Sequence, residues 1–269
     1  MLEKTITTIP ILGAFERANG CPLCLLWTES EESYLERVEA NEVTMDPEFR
    51  KKVIAAAGFC NRHMHLLFEI SFSGHTENGL GYALYAKDVL ETLEGKIGEL
   101  KPRARVEPRR GSSGGFLSKR TTPRRPMREA AFGAARALHG NRICPICEML
   151  LDSDRRTLAT FLNMLRDKAF ASIYTESGGI CLPHFASSLG LLAEDKERSD
   201  TVVVLLFEVQ NERLSRLRTL LDSRIRKYAW DHHDEALSSD EADSQEDALR
   251  MIAGAEGLYC RESKVPLPS

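Results

Sequence analysis

"DPEFRKKVIAAAGFCNRH" (residues 46–63) and "DKAFASIYTESGGICLPH" (residues 167–184) align without a gap, 121 positions apart. The register sets Asp46 on Asp167, Phe49 on Phe170 and Gly58 on Gly179, and both stretches end in Cys-x-x-His. Each is preceded by a Cys-Pro-x-Cys turn, "CPLC" (residues 21–24) and "CPIC" (residues 144–147), and the gaps to the following Cys-x-x-His are 35 and 33 residues. A register held over two pairs of motifs is the mark of an internal duplication. One module is written twice, with the joint within residues 101–128.

Local patterning makes both copies helical. After each Cys-Pro-x-Cys comes a charged, periodic segment, 25–40 and 148–165, with Leu26, Tyr34 and Val38 or Leu151, Leu158 and Leu162 at helical spacing. Asp46 followed by Pro47 is a helix start, because the carboxylate caps free N–H groups and proline suits the first turn. Gly58 and the pair Gly178 and Gly179 stop those short helices. A further helix is expected at each Cys-x-x-His, and a longer one after it. Leu80, Leu84, Leu90, Leu93, Ile97 and Leu100 mark the first long helix; Val202, Leu205, Val209, Leu214, Leu217, Leu221, Ile225 and Tyr228 mark the second, as packing stripes. No run of alternating β-branched residues calls for a sheet. The fold class expected is all-α, two duplicated helical modules each carrying a Cys3His zinc site, plus long packing helices.

The chemistry follows from the donors. Cys-x-x-Cys presents two sulfurs to one ion, and Cys-x-x-His at a helix start puts its side chains one turn apart on one face. Three thiolates and one imidazole make a closed tetrahedral set that suits structural zinc and leaves no position for an activated water. Pairing within each copy gives one site from Cys21, Cys24, Cys60 and His63 and a second from Cys144, Cys147, Cys181 and His184, hence two zinc ions per chain. Pairing across the copies, Cys21 and Cys24 with Cys181 and His184, is the alternative. Thiol–disulfide chemistry needs the strand–helix context that is absent here, and haem attachment needs His where Leu25 and Glu148 stand. A Cys3His iron–sulfur cluster is the remaining metal alternative.

With these motifs in view the chain resembles a family of prokaryotic proteins catalogued as domain of unknown function 6062. The resemblance rests on "IPILGAF…CPLC", "DPEFR…GFCNRH", "CPIC", "YTESGGICLPH" and "RKYAWDHHDE…EDALRMIAGAEG", and so covers most of the chain. It implies the duplicated module and a variable insert near residue 115. It implies no reaction.

Composition adds limits. The 269 residues are 42% hydrophobic and 28% charged, the balance of a globular protein. The N-terminus lacks the uninterrupted apolar stretch of a secretory signal, and the longest apolar run, Val202 to Phe207, falls far short of a bilayer span. A cytoplasmic location is expected, where the seven cysteines include metal ligands rather than disulfides. Residues 101–128 hold ten Lys and Arg and one acid, the composition of a flexible linker; residues 231–247 hold eight acids and no Lys or Arg. The domains expected are a first zinc module at 1–100, the linker at 101–128, a second zinc module at 129–230, and an acidic segment at 231–269 that packs back or is partly disordered.

Other residues have bland readings. His65 faces away from the metal of His63, the "DHHD" at 231–234 is a surface cluster, Cys260 is a bystander thiol, and His75 and His139 have no evident partner. Trp27 and Trp230 are expected to pack between helices. No Walker loop, dinucleotide fingerprint, Gly-x-Ser-x-Gly or His-Glu-x-x-His occurs. The leading expectation is a non-catalytic interaction or scaffold protein with a protein partner. The alternatives are a zinc–thiolate redox or metal-release sensor, and a nucleic-acid binder using the basic linker.

Overall fold

The computed structural model describes residues 4–73, 79–100, 132, 135, 143–194, 200–232 and 234–259. Among them are eleven helices and no strand. The expected linker at 101–128 (all of it), His75, His139, His233 and Cys260 lie outside the described residues. The helices are α1 (Thr8–Arg17), α2 (Pro22–Glu39), α3 (Asn41–Thr44), α4 (Pro47–Ala55), α5 (Asn61–Ser73) and α6 (Leu80–Leu100). They continue with α7 (Pro145–Met164), α8 (Lys168–Ser177), α9 (Leu182–Glu194), α10 (Asp200–Arg226) and α11 (Ser239–Ala253). No described helix is long and apolar enough to cross a membrane.

The duplicated register shows in the helix ends. Asp46 caps α4 by accepting from the Glu48 N–H at 2.9 Å, and Asp167 caps α8 by accepting from the Ala169 N–H at 2.8 Å. At the other end the copies differ. Gly178 terminates α8 in the left-handed region at φ 76°, whereas the matching residue after α4 is Ala57, at φ 58°. Alanine pays about 1–2 kcal/mol in that region, against about 0.4–1 kcal/mol of chain entropy that glycine loses on folding. Gly178→Ala is therefore expected to destabilise by about 1 kcal/mol and Ala57→Gly to stabilise by about 0.5 kcal/mol, measured by urea unfolding. A loss of stability in Ala57→Gly would contradict the strain at Ala57.

The helices gather into two compact units that do not follow the order of the copies. One takes Met1–Ser33 and Met149–Cys260, and the other centres on Tyr34–Glu148; the boundaries fall inside α2 and α7. In the first unit Phe161 and Phe170 are fully buried, Phe15 stacks on Phe161 at 5.9 Å and meets Phe170 edge-on at 5.1 Å, and Leu23, Leu158, Ile180, Val202 and Leu206 complete the core. The second unit has a matching aromatic centre. Tyr85 meets Phe59 at 5.4 Å and Phe49 at 6.0 Å, and its hydroxyl donates to the Val38 carbonyl at 2.9 Å. Burial pushes the Tyr85 phenol up to about 12, so it remains a donor. Arg50 holds Asp88 through two bonds of 2.6 and 2.7 Å, fixing α4 on α6.

The long helices bury a stripe other than the leucines alone. In α6 the buried positions are Gly81, Tyr85 and Val89, one helical face at i, i+4, while Leu80, Leu90 and Ile97 are exposed. In α10 Val202, Leu206, Val209, Gln210 and Leu217 are buried and Ile225 is exposed, as is Tyr228 just past its end. Trp27 is buried as expected; Trp230 is not, being 88% exposed beyond the end of α10. The acidic segment is partly a helix, α11, started by a capping box between Ser238 and Glu241 and laid along α10. Its acids pair with bases of α10 and of the turn after it: Asp240 with Arg216 at 3.1 Å, Asp247 with Arg213 at 3.5 Å, and Glu241 with Lys227 at 2.6 Å. Lys227 and Ser223 hold the Glu241 carboxyl down at about 2.

Candidate metal centres

All four cysteine motifs sit at helix N-termini, with the first ligand just before the helix and the second one turn in. Cys21 precedes Pro22 and accepts from the Cys24 and Leu25 N–H groups through its carbonyl, at 3.1 and 3.3 Å. The Cys60 carbonyl accepts from Met64 N–H at 2.9 Å, Cys144 from Glu148 at 3.0 Å and Cys181 from Phe185 at 2.8 Å. Pro22 and Pro145 stand where a helix needs no N–H donor. The ligand pairs thereby face the positive ends of the helix dipoles, which favours thiolate.

The motifs combine crosswise. Cys21, Cys24, Cys181 and His184 form one cluster, within the first unit; Cys60, His63, Cys144 and Cys147 form the other, within the second. The expected sets, Cys21 and Cys24 with Cys60 and His63, and Cys144 and Cys147 with Cys181 and His184, are thus corrected. The eight residues stay the same and the partners change. Two or three helices stand between the motifs of one copy, so spacing along the chain does not tie a Cys-Pro-x-Cys to its own Cys-x-x-His. Each Cys-x-x-His closes on the Cys-Pro-x-Cys of the other copy.

In each cluster the four donor atoms lie within 4.8 Å of one another. In the first unit the His184 Nδ1 is 3.1 Å from Cys181 Sγ, 3.5 Å from Cys24 Sγ and 3.6 Å from Cys21 Sγ, and Cys24 and Cys181 sulfurs are 3.6 Å apart. In the second, His63 Nδ1 is 3.2, 3.3 and 3.5 Å from the sulfurs of Cys60, Cys147 and Cys144, and Cys60 and Cys147 sulfurs are 3.7 Å apart. A tetrahedral ion with metal–sulfur bonds of about 2.3 Å and metal–nitrogen bonds of about 2.0 Å spaces its sulfurs roughly 3.8 Å apart and sets them roughly 3.5 Å from the nitrogen. The fit is to a single ion. A multi-iron cluster spreads its ligands over several irons and is a poorer match to this spacing.

Electrostatics point the same way. Hydrogen bonds from Cys147 and Cys60 hold the Cys144 thiol far below its usual range, while the same cluster drives Cys147 far above it. In the first unit burial would raise Cys21, yet bonds from Cys181, Cys24 and His184 bring it well below the usual range, and Cys181 is driven up by Cys21 and Cys24. Like charges so close repel unless a cation sits among them. A divalent ion lets all three sulfurs ionise, and two helix N-termini offset the remaining negative charge.

The first centre has neighbours that the motifs did not announce. The His184 ring is fully buried, and its Nε2 lies 3.2 Å from Asp154 Oδ1; Tyr259 donates to Asp154 Oδ2 at 2.6 Å. Burial would lower the His184 pKa, but Asp154 and the sulfurs of Cys21 and Cys24 outweigh it and raise it well above the usual value. The Ala255 N–H donates to Cys24 Sγ at 3.3 Å. The repeat held one clue to Asp154: it stands seven residues after Cys147, as buried Glu31 stands seven after Cys24. Beside Cys21 and Cys181 lies a cleft of about 220 Å³ that is also lined by Gly20, Gly179, Arg213 and Arg250. Cys21 is half-buried, whereas Cys24, Cys181 and His184 are buried.

The other sequence candidates fall outside the clusters. His65 is exposed, and His232 pairs with Glu235 at 2.8 Å.

An all-α chain in which four helix-start motifs close crosswise into two Cys3His groups is thus a protein with two potential metal centres. It belongs to a family of unknown function (DUF6062), which matches residues 1–257. No curated protein and no solved structure matches the chain.

Proposed function

We propose that each group holds one structural zinc ion and that the chain is a non-catalytic, zinc-fastened interaction scaffold with a protein partner, located in the cytoplasm. What carries the metal assignment is the spacing: four donors of the zinc type, all within 4.8 Å. Four protein ligands saturate a tetrahedral ion, so it fastens helix ends and activates no water. Elemental analysis of freshly purified protein should give two zinc ions per chain. A cobalt-substituted sample should show a thiolate-rich tetrahedral spectrum that azide leaves unchanged. Iron in place of zinc, or a spectrum that shifts with azide, would overturn the structural reading.

The half-buried sulfur of Cys21 beside the cleft favours a second reading, release of the first ion by oxidation. A hydroperoxide would take two electrons from two cysteine thiolates, giving one disulfide, an alcohol and water after uptake of two protons, with zinc set free. Zinc release at one equivalent of peroxide per ion is the expected sign; release needing a large excess removes this reading.

A further inference from the structure

We infer that Asp154 and Tyr259, with the turn Gly254–Tyr259, form a clasp that fixes His184 as an Nδ1 ligand and retains the ion of the first centre. The inference rests on the metal reading above. Its grounds are a chain of contacts converging on one imidazole and on two sulfurs.

His184 offers Nδ1 to the three sulfurs and turns Nε2 toward Asp154 at 3.2 Å. A carboxylate there can only accept, so Nε2 must carry the proton and Nδ1 presents its lone pair to the metal. Asp154 is held in turn. Its second oxygen accepts from the Tyr259 hydroxyl at 2.6 Å, and the Tyr259 ring stands edge-on to Trp27 at 5.3 Å and to His184 at 5.6 Å. The carboxylate is therefore located by two partners from different parts of the chain, and the ring contacts locate the tyrosine.

The same turn reaches the sulfurs. Gly254 ends α11 at φ 78° and ψ −157°, a conformation nearly confined to glycine. A Cβ there would lie 3.3 Å from Cys181 Sγ and 3.4 Å from Cys24 Sγ, and would collide with Leu258. The next residue, Ala255, gives its N–H to Cys24 Sγ. Glycine thus permits the backbone to lie against the centre, where an N–H can balance thiolate charge. The turn lies against Cys24, Cys181 and His184, and the half-buried Cys21 stands with Cys181 at the cleft.

Partners of a ligating histidine commonly change metal affinity about 10–100-fold. In the full chain loaded with two zinc ions, transfer to a chromophoric chelator should show one phase per centre. Asp154→Asn and Tyr259→Phe should each accelerate the phase of the first centre, the former about 10–100-fold and the latter several-fold, and leave the other phase unchanged. Tyr259→Phe keeps the ring and removes only the hydroxyl, so a purely packing role would leave release at the wild-type rate. Nitrogen NMR of His184 should show metal at Nδ1 and a proton at Nε2, with that proton's signal displaced in Asp154→Asn. Wild-type release rates in both variants, with two zinc ions bound, overturn the clasp alone. A wild-type chain that binds no zinc overturns the metal reading itself.

Discussion

Cys24→Ser should cost the protein one zinc ion and unfold its first unit. Structural zinc contributes on the order of 10–16 kcal/mol in small finger peptides, where the metal supplies nearly all of the folding energy. This unit also has an apolar core, so the expected loss is smaller, but still several kcal/mol. Cys24 is buried at the start of α2, bonded to Ala255 N–H and close to both Cys181 and His184. A serine hydroxyl cannot replace a thiolate there, and it leaves two cysteines and a histidine crowded without their cation. Hydrogen exchange should lose protection through α8 and α9, while the other centre keeps its ion. Unchanged protection in α8 and α9, with zinc lost, would show that the ion fastens nothing.

Phe161→Ala should weaken the same unit by about 3–5 kcal/mol without removing its ligands. The ring is fully buried and touches three other aromatic rings, Phe15 at 5.9 Å, Phe170 at 6.1 Å and Tyr174 at 5.5 Å. Truncation leaves a cavity whose walls belong to α1, α7 and α8, and fixed helices cannot close it. Thermal unfolding of the zinc-loaded variant measures the effect. Chelation should cost this variant its first unit at a lower chelator concentration than the wild type, because core and ion act on one folding equilibrium. A change under 1 kcal/mol would mean the core relaxes around the gap.

Helices and candidate metal donors were legible in the sequence because both depend on local rules. Asp46, Pro47 and Asp167 fix helix starts by capping, and Cys-x-x-His at a helix start fixes which side chains share a face. All eight donors that gather in the structure could therefore be named from spacing alone. Their partners could not. Spacing counts residues along the chain, whereas closure depends on how the helices between two motifs pack. The stripes of α6 and α10 misled for a related reason. Leu80 and Leu90 are apolar but lie off the face defined by Gly81, Tyr85 and Val89, so residue type outvoted period. Trp230 failed similarly: an aromatic residue type predicts burial, yet this one stands past the end of α10 and is exposed. Asp154 and Tyr259 were hidden because they act through His184, at separations of 30 and 105 residues in the contacts that define them.

The crossing has a physical consequence for a duplicated chain. Neither copy closes a centre alone, because each supplies two sulfurs to one cluster and a sulfur with an imidazole to the other. Zinc content of paired substitutions tests this most directly. Cys24→Ser with Cys181→Ser damages one cluster twice and should leave one ion per chain; Cys24→Ser with Cys60→Ser damages both and should leave none. The reverse result, one ion in the second pair and none in the first, would contradict the crossed centres.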